Sequence, residues 1–482
     1  MYITFLLIGL VIVLNIFLAL IITFRNKRDA VSSWAWLLVI VFLPLMGVLL
    51  YILFGQNLSR SHLFQWEDQK KVGIQKKLDT QLSQIRSHQF QFSNKATRKG
   101  RSLIYMNLIN NDAVLTEDNS VKLLTDGIEK FNSLLKDIEG AKDHIHLQYY
   151  IIKKDQLSKK LKEVLTKKAH EGVKVRVLYD EVGSRRLSKE FFSDLLKAGG
   201  EVGIFFPSKF FFFNLRLNYR NHRKLAIIDG KTGYLGGFNI GSEYLGVNQK
   251  FGYWRDTHLR IQGTAVHAIQ TRFILDWNQA SPHQKINYMP NYFPNHISLG
   301  NIGIQIVTSG PDSKIEHIKN GYIKMILSAQ NSILIQTPYF IPDMSFLDAL
   351  RIACSSGVEV KIMIPNKHDH MFVYWATLSY VGELLMAGAK VYIYNGGFIH
   401  SKTVIIDKEI SSVGTANLDV RSFKLNFEVN AFLYDEEIAQ RLAATFYEDV
   451  KVSGEFTLEK YQNRPLWVHF KESVSRLLSP IL

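Results

Sequence analysis

The sequence predicts an α/β protein whose two tandem domains form a pseudo-dimer with an active site at their interface, preceded by a two-helix transmembrane hairpin. Three observations lead to this prediction. A pattern of five residue types occurs twice, strands alternate with helices around each copy, and residues 1–54 contain two long uncharged runs. Alternating strands and helices indicate α/β domains with a mostly parallel sheet.

Residues 1–54 predict two transmembrane helices. Tyr2 to Phe24 carries no charge, and at about 1.5 Å per residue a helix of this length crosses a hydrocarbon core of about 30 Å. The second run, Trp34 to Phe54, contains Pro44 and Gly47, which membrane helices tolerate. A cleaved signal peptide is the alternative, but the first run lacks a basic start and a second run follows it.

Charge and cysteine content bear on location and partners. The net charge of +15 predicts anionic membrane lipids as partners, and nucleic acid is the competing interpretation that charge alone does not separate. A single cysteine, Cys354, favours a reducing compartment, so we expect the catalytic part on the cytoplasmic side. The positive residues near the two runs give almost no bias: Arg25, Lys27 and Arg28 against Arg60, Lys70 and Lys71.

The rest of the chain divides into a linker and two related halves. Residues 55–105 are predicted to be a basic juxtamembrane linker with some helix. The first half, 106–295, contains KDHIHLQYYII and EGVKVRVLYD, and the second, 296–482, contains the similar NSILIQTPYFIP and SGVEVKIMIP. Helical patterns over Leu157–His170 and Asp369–Met386 follow or lie between these strands.

Two segments have no counterpart in the other half. Phe210 to Phe213 are four consecutive phenylalanines just before the first motif. They predict either a buried strand or an apolar lip beside the site that meets acyl chains. Leu466 to Leu478 predicts a C-terminal helix packed on the domain, with surface contact to lipid as the alternative.

The repeated pattern is His-x-Lys-x4-Asp-x6-Gly-x2-Asn, at 222–239 and at 400–417. Each copy reads as a hairpin in which the aspartate opens the turn and the His, Lys and Asn meet at the open end. Neither copy holds a complete catalytic set, so a site at the seam would use both. The matching residues are His222, Lys224, Asp229, Gly236 and Asn239, and His400, Lys402, Asp407, Gly414 and Asn417.

This set suits phosphodiester exchange through a covalent phosphohistidine. One imidazole is a nucleophile that is neutral near pH 7, and a second protonates the leaving alkoxide. Lys224, Lys402, Asn239 and Asn417 would surround the phosphate oxygens. No metal-ligand or cofactor motif is evident, so the prediction is a reaction without metal or cofactor.

Carboxylates complete the predicted site. Asp229 and Asp407 belong to the motif, and we interpret them as turn and scaffold residues of the catalytic set. Asp256 in YWRDTH and Glu428 in NFEVN follow the two motifs at similar distances. They are candidates for orienting the histidines, with ordinary salt-bridge roles as the alternative.

The duplicated His-Lys-Asp motif resembles the phospholipase D superfamily, and the run AWLLVIVFLPLMGVLLYILFG resembles the membrane segment of its bacterial cardiolipin synthases. The resemblance implies a multi-pass protein of the bacterial cell membrane. It implies transfer of a phosphatidyl group from one phosphatidylglycerol to another, giving cardiolipin and glycerol. It also implies that His222 is the nucleophile, that His400 is the acid and base, and that each histidine pairs with a downstream carboxylate, at Asp256 and Glu428.

Three other functions compete. A membrane-bound phospholipase D hydrolase would use the same site with water as acceptor, and no motif separates transfer from hydrolysis. A nuclease fits the basic charge, but the two apolar runs argue against it and no stacking-aromatic motif is evident. A non-catalytic lipid-binding scaffold is disfavoured because both motif copies are intact. The order of the two histidines and the oligomeric state stay open.

Overall fold

The computed structural model describes residues 2–20, 30–43, 46–54, 63–207, 218–295, 298–367 and 370–479. The N-terminal part forms helices α1 (Tyr2–Leu20), α2 (Ala30–Phe42) and α3 (Met46–Phe54). Many of their apolar side chains are exposed, Leu6 and Trp34 among them. Among the described residues, no helix combines the length and apolar character needed to cross a membrane. The predicted spans extend into 21–29 and 44–45, which lie outside the described residues.

The remaining elements follow the predicted two-half order. Before the first half come α4 (Ile74–Arg86), α5 (Lys95–Lys99) and α6 (Arg101–Asn111). The first half contains β1 (Thr116–Leu124), α7 (Gly127–Glu139), β2 (His144–Tyr149), α8 (Gln156–His170), β3 (Lys174–Asp180), α9 (Ser193–Lys197), β4 (Glu201–Phe205), β5 (Arg220–Asn221), β6 (Leu225–Ile228), β7 (Thr232–Gly236), β8 (Trp254–Arg255), β9 (His258–Gln262) and α10 (Ala265–Ala280).

The second half repeats this order and adds C-terminal elements. It contains β10 (Ile302–Ser309), α11 (His317–Ser328), β11 (Ser332–Gln336), β12 (Phe340–Ile341), α12 (Met344–Ser355), β13 (Glu359–Pro365), α13 (Met371–Met386), β14 (Lys390–Tyr394), β15 (Phe398–Ile399), β16 (Thr403–Ile406), β17 (Ile410–Gly414), β18 (Leu418–Asp419), α14 (Val420–Lys424), β19 (Asn426–Tyr434), α15 (Glu436–Lys451), β20 (Ser453–Glu455), α16 (Leu458–Gln462) and α17 (Leu466–Leu477).

One sheet runs through both halves. Its order is β20-β14-β13-β11-β16-β17-β19-β10-β1-β9-β7-β6-β2-β3-β4. The two halves have the same strand order on either side of the antiparallel β1–β10 pair. From this pair outward, the order is β9-β7-β6-β2-β3-β4 in the first half and β19-β17-β16-β11-β13-β14 in the second. Within each half the motif hairpin, β6–β7 or β16–β17, occupies the middle of the sheet. The two domains are therefore joined edge to edge.

The predicted mostly parallel sheet is wrong. Parallel pairing along the path is confined to β2–β3–β4 and β11–β13–β14. The motif hairpins and their neighbours β9, β1, β19 and β10 are antiparallel, because a short turn can join only antiparallel strands. The hairpin predicted for each motif was the signal that pointed to this mixture.

Residues 63–111 do more than connect the N-terminal helices to the first half. Leu78, Ile85 and Leu108 are buried in one apolar cluster with Ile318 and Leu347 of the second half. Gln305 on β10 donates to the Ile104 carbonyl oxygen at 3.1 Å. The interpretation of residues 55–105 as a linker did not include this packing. The structure shows that α4 to α6 contribute to the core of the second half.

The predicted C-terminal helix is present as α17 and is packed on α13, but the contacts that the structure shows are made by polar side chains. Arg476 on α17 donates to Ser379 on α13 at 3.2 Å, and the buried Glu472 accepts from Arg464. Trp467 is 63% exposed and Phe470 57% exposed. The helix attaches through polar side chains because its apolar stripe is turned outward. The phenylalanine run at 210–213 lies outside the described residues.

Candidate active site

Two short pieces of backbone exchanged between the halves place the motif histidines. β5, just before His222, pairs in parallel with the start of β19, and the His222 amide donates to the Phe427 carbonyl oxygen at 3.0 Å. β15, just before His400, pairs in parallel with β8, and the His400 amide donates to the Arg255 carbonyl oxygen at 2.7 Å. Each histidine therefore lies beside the residue that follows the paired two-residue segment in the other half.

Those following residues are the two candidate carboxylates, and their pairing is crossed. His222 Nδ1 lies 2.9 Å from Glu428 Oε1, and His400 Nδ1 lies 2.6 Å from Asp256 Oδ2. Asp256 and Glu428 were predicted from their distances to the motifs, and in the structure each one contacts the histidine of the other half. Because Nδ1 is engaged, Nε2 is the ring nitrogen available to a substrate on both histidines.

Polar contacts hold both carboxylates in place. Thr415 donates its hydroxyl to Glu428 at 2.5 Å, and Asn426 donates its amide to the same carboxylate at 3.2 Å. Asp256 accepts from the Thr257 backbone amide at 2.7 Å. Both carboxylates are fully buried. Fixed carboxylates of this kind set the orientation and tautomer of the imidazoles they contact.

Sequence reasoning missed a further pair of buried ion pairs. Arg223 donates to Asp276 at 2.7 and 2.8 Å and to the Glu428 carbonyl oxygen at 3.1 Å. Arg255 donates to Asp449 at 3.0 Å and also binds the Asp256 carbonyl oxygen. Each arginine thus fixes the backbone of one orienting carboxylate.

A signal for these pairs was present in the repeat. The two glutamines that marked the repeated strands, Gln148 and Gln336, donate to Asp276 at 2.6 Å and to Asp449 at 2.8 Å. Asp276 and Asp449 lie near the ends of α10 and α15, which are the corresponding helices of the two halves. A repeated buried glutamine needs a repeated partner, and this requirement points to an acidic residue in each half.

The two lysines are buried beside the histidines. Lys224 Nζ donates to the His222 carbonyl oxygen at 2.6 Å, and Lys402 Nζ donates to the His400 carbonyl oxygen at 2.5 Å. Burial lowers the pKa of His222 to about 4 and that of Lys224 to about 7. Burial also lowers the pKa of His400. Both lysines contribute to lowering the pKa of each histidine, so the four groups are close enough to interact electrostatically.

The motif aspartates lie at the other end of the hairpins. Asp229 accepts from the backbone amides of three consecutive residues, 142–144, at 2.8 to 3.0 Å. Asp407 accepts in the same way from residues 330–332 at 2.7 to 2.9 Å. Both have left-handed backbone, with φ of 53° and 52°. Their carboxylates tie the hairpin turns to the starts of β2 and β11.

The two motif asparagines differ. Asn239 accepts from the Ile151 backbone amide at 3.2 Å and donates to the Tyr244 hydroxyl at 3.3 Å. Asn417 is 5% exposed, and its side-chain oxygen has no hydrogen-bond partner within the part of the chain that the structure describes. The amide of Asn417 is therefore the less committed of the two.

The surroundings of the histidines break the symmetry. The Tyr150 ring lies edge-on to His222 at 4.9 Å, and Asp180 nearby pairs with Arg220 at 3.3 Å. His400 instead faces Trp254 and Phe398, with ring centroids 5.3 and 6.1 Å away. One flank of the site is polar and the other is aromatic.

Comparison with known proteins matches this arrangement. Residues 134–277 and 322–450 match the family model described as the PLD-like domain of cardiolipin synthase, and residues 13–56 match a model described as the N-terminal segment of phospholipase D-nucleases. The major cardiolipin synthase ClsA of Bacillus subtilis (strain 168) is 67% identical over the full length of both chains. A cardiolipin synthase of Oceanobacillus iheyensis is 55% identical, also over both full lengths.

Among solved structures, phosphatidylserine synthase of Haemophilus influenzae Rd KW20 is similar in fold, with a TM-score of 0.61 and 15% identity over 81% of this chain and 100% of that chain. Two PLD-like domains, together with relatives named cardiolipin synthase, define a phosphatidyltransferase of the phospholipase D superfamily. Within that class, the chain belongs to the bacterial cardiolipin synthases.

Proposed function

We propose that cardiolipin is formed from two phosphatidylglycerol molecules through a covalent phosphatidyl adduct on His222. The observation that supports this is the crossed pair of dyads, His222–Glu428 and His400–Asp256, with two buried lysines between them. Two oriented imidazoles in one site can divide the roles of nucleophile and proton donor. We expect the reaction to need no metal or cofactor, since the lysines supply the positive charge.

The first step breaks the bond between phosphorus and the glycerol head group. His222 Nε2 attacks phosphorus, and protonated His400 gives its Nε2 proton to the departing glycerol oxygen. In the second step the terminal hydroxyl of another phosphatidylglycerol attacks phosphorus and returns a proton to His400. The bond between phosphorus and His222 breaks, which restores the free imidazole. Glu428 and Asp256 hold the two rings through Nδ1 in both steps.

Charge on the phosphate is met by Lys224 and Lys402, with the amides of Asn239 and Asn417 as further donors. Buried ammonium groups stabilise the developing phosphorane more than exposed ones, because water is excluded. Asn417 would donate through its side-chain nitrogen, because a phosphate oxygen can only accept. We assign Asp229 and Asp407 the task of holding the hairpins that carry these groups.

The test of this function is a purified protein given phosphatidylglycerol alone. Cardiolipin and free glycerol in equal amounts are the expected products. Phosphatidic acid as the main product would instead mean that water is the acceptor and that the protein is a hydrolase. Adding nucleic acid should leave the rate unchanged, and cleavage of the nucleic acid would contradict the proposed substrate.

We further propose that the N-terminal runs form a two-helix membrane hairpin with the catalytic part on the cytoplasmic side, at an anionic lipid surface. The uncharged runs, the match of residues 13–56 and the exposed apolar faces of α1 and α2 support this. Cysteine labelling in intact cells tests it. In a Cys354→Ala background, a cysteine at exposed Ile128 should resist a membrane-impermeant maleimide until the cells are opened. Labelling in intact cells would place the catalytic part outside.

A further inference from the structure

An exposed apolar surface begins where α13 and α17 start. The two helices run side by side in the same direction, since Lys471 on α17 lies 4.9 Å from the Trp375 ring on α13, and Arg476 bonds to Ser379 further along. The first residues of the two helices are therefore neighbours, and both helices run away from that end. This alignment gives the pair a distinct beginning and end.

The beginning of the pair lies at the active-site edge of the sheet. Gln336, the last residue of β11, is level with Thr403, which directly follows Lys402 of the second motif. Gln336 is also level with Met363 near the end of β13. Five residues of sequence separate the end of β13 from the start of α13. The start of α13, and with it the start of α17, lies on the same edge as the motif.

Five large apolar side chains at this edge, which we call the rim patch, have no cover from the described residues. Leu466 is 86% exposed and Met371 is 56% exposed. Trp467 and Phe470 stack on each other at 5.3 Å instead of turning inward. Exposed apolar groups at this density mark a surface that meets an apolar partner. The rim patch consists of Met371, Phe372, Leu466, Trp467 and Phe470.

Charge next to the rim patch identifies the partner. The ammonium of Lys471 lies 5.5 Å from the Trp467 ring and 4.9 Å from the Trp375 ring. A lysine over tryptophan rings beside apolar side chains is the composition of a segment that lies in the interface of an anionic bilayer. The net charge of +15 adds attraction to such a surface. A patch that binds a protein partner need not lie close to the active site. A patch that binds the bilayer should lie close to it, because the bilayer contains the substrate of the active site.

We propose that the rim patch inserts into the anionic bilayer and sets the active-site edge at the level of the lipid phosphates. This contact is separate from the N-terminal hairpin, and it rests on the proposed function in that the site must receive lipid from the membrane. Interfacial helices insert to a depth of about 5–10 Å. At this depth the side chains of the rim patch pass the lipid head groups, while the active-site edge of the sheet stays at the level of the head groups.

The insertion is tested by lipid-borne quenching in the full-length protein. In a Cys354→Ala background, single cysteines at Met371 or Phe470 carry an environment-sensitive fluorophore in vesicles containing phosphatidylglycerol. Matched control positions are Met386 and Leu477, at the far ends of the same helices and 61% and 81% exposed. Spin-labelled acyl chains should quench the fluorophore at Met371 or Phe470. Aqueous iodide should quench the fluorophore only at Met386 or Leu477.

Equal iodide quenching at all four positions would overturn the proposal. Protection of the rim positions from both quenchers, followed by exposure to iodide when the protein is diluted, would also overturn the proposal. That pattern would mean that the rim patch contacts a second copy of the chain. Both readouts are independent of activity, so they separate this inference from the proposed reaction.

Activity gives a second, independent measurement. The Trp467→Asp and Phe470→Asp double variant should make cardiolipin about tenfold more slowly on vesicles, because two large apolar side chains no longer enter the bilayer. In detergent-mixed micelles, where lipid reaches the site without docking, its rate should match the unmodified protein. The control variant Met386→Asp with Leu477→Asp should be normal in both. An equal loss in vesicles and micelles would contradict a docking role.

Discussion

The two carboxylates that hold the motif histidines have different support in the two halves. Two residues beyond Glu428, Asn430 donates its amide to the Tyr322 hydroxyl at 2.6 Å and accepts from the Ala416 backbone amide at 3.3 Å. Two residues beyond Asp256 the side chain is His258, which is fully buried. Neither of its ring nitrogens meets a hydrogen-bond partner among the residues that the structure describes.

A buried lysine accounts for the rest of the difference. Lys130 donates to the Tyr149 hydroxyl at 3.2 Å and interacts electrostatically with both Asp256 and His258. Tyr322 occupies the comparable place near Glu428. The support of Glu428 is neutral and satisfied, while the support of Asp256 contains groups that can gain or lose a proton. The duplicated site is therefore symmetric in the groups that face the substrate and asymmetric in the groups behind them.

The largest expected effect comes from replacing either motif histidine on its own. His222→Ala and His400→Ala should each lower turnover by about 10⁴-fold or more, since neither half is complete alone. Phosphatidylglycerol labelled at phosphorus then separates the roles. His400→Ala should retain label on the protein, because the adduct forms slowly but is not resolved, and His222→Ala should retain none. The reverse pattern would exchange the two roles.

The next effect tests the crossing itself. Glu428→Gln and Asp256→Asn keep the shape of each side chain and should lower kcat by about 10²- to 10⁴-fold through the wrong imidazole tautomer. Because Asp256 contacts His400, Asp256→Asn should accumulate labelled protein as His400→Ala does. Glu428→Gln should not. Accumulation in Glu428→Gln alone would mean that each carboxylate serves the histidine of its own half.

The sequence was sufficient to predict the parts of the site but not how they pair. Fixed spacing brought together His, Lys and Asn in each half, because a hairpin has only one open end. Asp256 and Glu428 follow their motifs at similar distances, so no spacing distinguishes crossed from uncrossed pairing. The crossing depends on β5 and β15, two-residue strands that pair across the halves and are too short to have a hydrophobic period.

The differences between the predicted and the observed fold have a similar origin. The mostly parallel sheet was inferred from strand–helix alternation, which describes β2 to β4 but not the meander through the motif hairpins. Leu78 lies in a polar stretch, and only the tertiary structure shows that it fills the core of the second half. The apolar stripe of α17 predicted the packed helix but not that its polar face meets α13, because a pattern cannot say which face a helix turns to its neighbour.

A smaller effect concerns Lys224, because burial lowers the pKa of this residue to about 7. Its ammonium is needed to meet the phosphate charge, so kcat/KM should fall as pH rises above about 7, where the group becomes neutral. Lys224→Arg, which stays charged, should lower the maximum rate but move this fall to higher pH. Lys402→Arg is the matched control in the other half. A fall that stays at the same pH in Lys224→Arg would assign it to another group.

The smallest effect on activity should come from Lys130, and its clearest consequence is for stability. Burial holds the pKa of Lys130 well below the usual value, so the unfolded chain binds a proton that the folded chain does not. Stability therefore rises with pH up to the ordinary lysine pKa, by at most about 1.4 kcal/mol per pH unit. Lys130→Met removes this penalty and should raise the thermal midpoint more at pH 7 than at pH 10.

Tyr322→Phe provides the matched control, because it removes a hydrogen-bonding hydroxyl from the neutral support of the second half. It should lower the midpoint at both pH values, and slightly less at pH 10, because an unfolded tyrosine begins to ionise there while burial raises the pKa of Tyr322 in the folded chain. In detergent solution the two variants should thus differ in the sign and in the pH dependence of their shifts. A pH-independent shift for Lys130→Met would mean that the amine is charged in the folded protein, and the support of Asp256 would then be a fixed positive charge rather than a titratable one.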